Sequence, residues 1–214
     1  MTKDQLLHKA KMEVGTKENP PNSNTVKYND WFYGKPVSGA SFPWCCAFVA
    51  WLFKEDQKLC KKTASCLDLM EWFEAHNQIV KTPMAGDIVF FKFSTNNRRT
   101  NHVGIVYEVN GNTITTIEGN TSQTSNDNGG SVMMRKRKAN IVGYARPAYN
   151  NEYFPQVLGH SSIVEALESI GVDSSKEYRK RIWKANFNGT YLFTADQNKK
   201  MLNHLASGNL IKPI

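Results

Sequence analysis

The chain has 214 residues, enough for one enzyme-sized domain with a small appendage and too few for a multi-domain scaffold. With 40% apolar and 21% charged residues it can bury a core, which excludes intrinsic disorder. Its 27 Lys and Arg against 19 Asp and Glu leave a net charge of +8, which favours an anionic partner such as nucleic acid, lipid headgroups or a wall polymer without choosing among them.

The N-terminal stretch MTKDQLLHKAKMEV scatters charges where a secretory signal needs an uninterrupted apolar segment, so the chain is expected to be made and kept in a cytoplasm. The longest apolar run, Trp44 to Phe53, falls short of the roughly 18 residues of a membrane span. Four cysteines, Cys45, Cys46, Cys60 and Cys66, are too few for a disulfide framework and are expected to be reduced.

In chain order, a capping box of Thr2 and Gln5 opens a helix carrying Leu6, Leu7, Ala10 and Val14 on one face, with Gly15 ending it. Residues 16–43, rich in Asn, Pro, Gly and Ser, read as a long ordered and functional loop. Trp44 to about Asp56 is apolar all round, the pattern of a buried helix, and Ser65 with Asp68 opens a third. The period then shifts from 3.6 to 2. Strands are predicted at DIVFFKF from Asp87, HVGIVYEV from His102, TITTIE from Thr113 and IVGYARP from Ile141, with Asn110-Gly111 as a hairpin turn. Helices followed by antiparallel strands make an α+β layout. Past a polar linker at 151–160, capping boxes at Ser162/Glu165, Ser174/Glu177 and Thr194/Gln197, with Gly171 and Gly208 at helix ends, predict a three-helix module over 161–214. Its predicted core holds Ile163, Leu167, Ile170, Tyr178, Ile182 and Leu202.

Cys45 falls at the first turn of the buried helix, where free amides and the helix dipole favour a thiolate and can hold an oxyanion. His102 opens a strand behind the polar loop STNNRRTN, and a two-residue turn at 110 and 111 sets it opposite Gly119. Glu118 and Asn120 flank that position, so either could accept a hydrogen bond from the imidazole and fix its tautomer.

PWCCAFVAW, GDIVFF, NHVGIVYEV and IEGNTS, in this order, resemble the CHAP domain, a papain-like family of cysteine amidohydrolases and peptidases in phage lysins and bacterial autolysins; the likeness covers about residues 1–148. It implies that Cys45 is the nucleophile, His102 the general base, and Glu118 and Asn120 the polar residues that complete the catalytic group. Trp44 and Tyr28 are taken as candidate substrate-binding residues. The implied architecture is a papain-like catalytic domain at 1–150, a linker at 151–160 and a helical wall-binding domain at 161–214. The implied activity is hydrolysis of peptidoglycan of a Gram-positive host, as an N-acetylmuramoyl-L-alanine amidase or, alternatively, an endopeptidase of the stem peptide or cross-bridge. A catalytically inactive wall-binding protein is the reading from another class. As in a phage endolysin, the chain would stay in the host cytoplasm until released to the wall.

No cofactor is predicted. The stretch ahead of Cys45 has only Asp30 as an acidic residue, which argues against calcium, and Cys60, Cys66 and His76 lack zinc-ligand spacing. The run Arg135 to Lys138 reads as a solvated surface or as a patch for wall polyanions, and nucleic acid is not predicted as a partner. Trp183, Phe187, Tyr191 and Phe193 could include a sugar-stacking platform.

Overall fold

A computed structural model describes residues 1–95, 98–150 and 152–213. Asn96 and Asn97 of the polar loop, Asn151 at the head of the expected linker and Ile214 lie outside the described residues. The chain divides into two compact units, Met1–Tyr149 and Asn150–Ile214.

The first unit opens with α1 (Lys3–Met12), started by the reciprocal Thr2–Gln5 capping box. Its Leu6 and Ala10 are fully buried, as the helical spacing requires. The stretch expected to be loop holds a short helix, α2 (Lys27–Tyr33). Tertiary contacts impose it: the ring of Tyr28 packs on Trp44, Phe48 and Trp51, and the Asn29 amide donates to the carbonyls of Asn24 and Phe42. Next come α3 (Cys45–Leu52), enclosed on nearly all sides, and α4 (Cys66–Ala75), capped by Ser65.

Among the described residues six strands follow: β1 (Ile79–Val80), β2 (Ile88–Phe91), β3 (His102–Asn110), β4 (Thr113–Thr121), β5 (Ser131–Arg137) and β6 (Ile141–Ala145). They form one antiparallel sheet in the order β1-β6-β2-β3-β4-β5. β5 contains most of the basic run that reads as surface charge. One set of strand residues, including Ile88, Phe90, Val103, Ile105 and Ile117, joins the core shared with the helices. The opposite parity, Val89, Phe91, Val106 and Ile114, forms a second cluster. The β3–β4 turn is one residue later than expected, with Asn110 pairing Thr113, and an irregularity between Val106 and Glu108 shifts the register again. At Gly119 a Cβ would lie 2.7 Å from Phe48 Cβ and 2.8 Å from Trp44, so the bare glycine lets β4 close on α3.

The second unit contains α5 (Ile163–Ser169), α6 (Lys176–Asn186) and α7 (Ala195–Ala206). Gly171 and Gly208 take left-handed backbone just beyond α5 and α7, as glycine permits. The cap of α6 is Ser175 rather than Ser174. Ile163, Leu167 and Ile182 are buried together with Met201 and Leu205, while Ile170, Tyr178 and Leu202 pack at the margin. Two expectations change here. Residues 151–160 are not merely a linker, since Phe154 and Val157 enter this core. Trp183, Phe187 and Tyr191 are core as well, so they cannot form an exposed stacking platform; burying these rings is how so small a unit acquires an interior. Among the described residues no helix is long and apolar enough to cross a membrane.

Candidate active site

α3 starts at Cys45, and its ladder begins with the Phe48 N–H donating to the Trp44 carbonyl at 2.8 Å. The amides of Cys45, Cys46 and Ala47 precede that bond, in the part of a helix that best supports negative charge. The two adjacent cysteines have different surroundings. Cys46 is fully buried and donates to Cys66 Sγ at 3.6 Å, whereas Cys45 keeps 5% exposure and couples to His102. Cys45 Sγ also lies 3.7 Å from Cys66 Sγ.

His102, the first residue of β3, is fully buried beside Phe91 and Phe93. Its Nε2 lies 2.9 Å from Glu118 Oε2. The other nitrogen, Nδ1, is buried without a partner in regular hydrogen-bond geometry, yet Cys45 is near enough to raise the ring's proton affinity. The irregular β3–β4 register leaves Glu118 beside Gly104: a Cβ there would meet Glu118 Cγ at 2.6 Å. Because position 104 has no side chain, the carboxylate can lie across β3 and reach the imidazole.

Glu118 is fully buried and hydrogen-bonded through both oxygens. Arg137 donates from Nε to Oε1 at 2.8 Å and from Nη2 to Oε2 at 2.5 Å, and the Thr116 hydroxyl donates to Oε1. Arg137 itself is buried, with its guanidinium 4.9 Å from the centre of the Phe93 ring and Nη1 on Asn126 Oδ1 at 2.7 Å. The basic run is therefore no uniform surface patch, since Arg137 points inward while Lys136 and Lys138 are exposed.

Burial opposes ionisation of Glu118, but the hydrogen bonds from Arg137 and then His102 outweigh it and hold the carboxyl down at about 2. Burial likewise opposes the imidazolium, yet Cys45 and Glu118 together raise His102 to about 9. The thiol of Cys45 is pushed well above its ordinary value, first by its hydrogen bond with Cys66 and then by burial, against the opposing pull of His102.

The structure brings Cys45, His102 and Glu118 together and separates Asn120 from the imidazole's hydrogen bonds. Asn120 has φ of +56° at the irregularity between Glu118 and Thr121; its Oδ1 accepts from Gly130 N–H and its carbonyl from Gly129 N–H. It shapes the β4–β5 connection. Trp44 and Tyr28, expected at the substrate, are both fully buried: the indole donates to Glu18 Oε1 at 2.7 Å and the phenol to Glu13 Oε2 at 2.6 Å. Neither offers a face to a ligand. His76 is exposed and bonded to the Trp72 carbonyl, apart from the buried Cys60 and Cys66, and among the described residues no three His, Cys, Asp or Glu are grouped to hold a metal.

Arg137, Gly104 and Cys66 escape the sequence reading of the site. A glycine inside a strand marks close approach of another group, which was the available signal for Gly104; nothing local marks Arg137 or Cys66.

Three solved structures are similar in outline. The crystal structure of Ly7917 has 15% identity, covers 76% of this chain and 71% of its own, and has a TM-score of 0.44. Ly7917 with the hydrolysing product of MDP has 17% identity, coverage of 73% and 67%, and a TM-score of 0.43. Wild-type endolysin LysIME-EF1 has 12% identity, coverage of 81% and 88%, and a TM-score of 0.46. No curated protein matches the sequence. The family model described as CHAP domain matches residues 37–120, a span that contains Cys45, His102, Glu118 and Asn120. Over residues 37–120 this chain is similar to the CHAP domain family.

Proposed function

We propose that the first unit is a cysteine hydrolase of peptidoglycan that cuts the lactyl to L-alanine amide, as an N-acetylmuramoyl-L-alanine amidase. The observation that carries the reading is His102 standing between a sulfur at a helix start and a carboxylate held ionised. The Cys45 thiolate, paired with the His102 imidazolium, attacks the carbonyl carbon. Backbone amides at the start of α3 hold the tetrahedral oxyanion, and the imidazolium then protonates the departing amine. Water, deprotonated by the same ring, cleaves the thioester and frees the carboxylate. Glu118 balances the imidazolium at each stage.

The CHAP match supports the wall substrate. The choice of amide rests on the family likeness alone, with an endopeptidase as the nearest alternative. The second unit is read as a wall-targeting module, supported by its separate core.

Purified Gram-positive walls test this directly. Wild type should clear them, and Cys45→Ser should lose at least about a thousandfold in rate while still binding, the scale expected for removal of a nucleophile. Sugar-free peptides with a new N-terminal alanine, seen by mass spectrometry, mark an amidase; new termini within the stem or cross-bridge mark an endopeptidase. Clearing by Cys45→Ser at the wild-type rate would end the enzyme reading, and binding without clearing by wild type would make this an inactive wall-binding protein.

A further inference from the structure

We propose that Arg137 is a positioning residue of the hydrolase, gripping both oxygens of Glu118 so that the carboxylate stays aimed at His102 Nε2. This deepens the catalytic reading above and rests on it. Arg137 lies beyond the matched span, on β5, whereas the residues it serves are on β3 and β4.

Three observations carry the inference. The guanidinium bonds Glu118 at two points, 2.8 and 2.5 Å, the fork geometry only arginine offers. Both partners are buried, so the pair has a purpose beyond surface solubility, and a single buried charge left behind would be costly. The fork is itself fixed, by the aromatic faces of Phe91 and Phe93 and by Asn126 Oδ1. Glu118 shares Oε2 between Arg137 and His102, so a change in the first contact moves the second.

The titratable and charged groups around the carboxylate and imidazole are Cys45 on α3, Cys66 at the start of α4, His102 on β3, and Arg135 and Arg137 on β5; β2 presents Phe91. Arg137 is the permanently charged partner of Glu118, beside the titratable imidazole of His102. Without it, burial would drive the carboxyl toward its protonated form, and a neutral Glu118 cannot balance an imidazolium.

The test uses the full chain labelled with carboxyl-13C glutamate, and follows the titration of Glu118 together with kcat and KM on walls. Arg137→Met should raise the Glu118 midpoint by about one unit or more, the usual scale of an arginine beside a carboxylate. Arg137→Lys keeps the charge and loses the fork, so Glu118 should stay below the ordinary carboxylate range while kcat falls about tenfold at unchanged KM. Thermal midpoints of both variants separate lost folding from lost alignment, and the lysine variant carries the test if the methionine variant does not fold. A Glu118 midpoint unmoved in Arg137→Met, or wild-type kcat in Arg137→Lys, overturns the proposal. If wild type cleaves no wall at all, the hydrolase reading falls while the 13C titration still decides whether Arg137 governs Glu118.

Discussion

Replacing Gly104 by alanine adds one methyl group at the point where the carboxylate crosses β3. The new Cβ would lie 2.6 Å from Glu118 Cγ and 3.1 Å from the Ile117 carbonyl oxygen. Carbon atoms rest about 3.5 Å apart or more, so the Glu118 side chain must retreat by about 1 Å. Its bond to His102 starts at 2.9 Å, and such a retreat stretches it beyond hydrogen-bond range. Misplacement on this scale costs about a hundredfold in rate, and overpacking costs about 1–3 kcal/mol in stability. Gly143→Ala is the matched control, because its Cβ would meet only Met70 Cε, at an ordinary 3.6 Å. Initial rates of wall clearing, read beside thermal unfolding, should show Gly104→Ala folded but crippled and Gly143→Ala close to wild type. A folded Gly104→Ala protein clearing walls within about threefold of wild type would refute the claim that Glu118 must reach His102 across a bare backbone.

Two further predictions concern neighbours of the site. Cys66→Ala removes the hydrogen bond that is the largest cause of the raised Cys45 thiol, so the pH at which iodoacetamide alkylates Cys45 should move down; no movement, or movement upward, counts against the sulfur contact. Asn120→Gly accepts the left-handed backbone at φ +56° and should retain most turnover, whereas Asn120→Ala carries about 1–2 kcal/mol of strain, read as a lower thermal midpoint. Equal and large losses of kcat in both variants would instead give the carboxamide a direct part in the reaction.

Much of this arrangement is legible from residue order. The all-apolar run from Trp44 predicts a buried helix with Cys45 at its head, and a hairpin near Asn110-Gly111 predicts that His102 and Glu118 approach one another. The predicted register is off because the turn falls a residue later and β3 carries an irregularity, yet a long carboxylate side chain spans the difference. The choice between Glu118 and Asn120 depends on backbone geometry, since Asn120 sits at a bend that residue order does not mark. α2 was hidden because seven residues with few strong helix formers become helical only through what they pack against. Arg137 was hidden for a different reason: a run of four basic residues looks uniformly solvated until a strand alternates their directions, exposing Lys136 and Lys138 and turning the arginine between them inward.

The edge position of β5 bears on how this protein can be divided. An excision ending at residue 120, where the family match stops, would retain sulfur, imidazole and carboxylate but discard the guanidinium and the strand bearing it. It would also strip β2 of its β6 neighbour. The smallest portion worth isolating therefore runs to Tyr149, the last residue of the first compact unit.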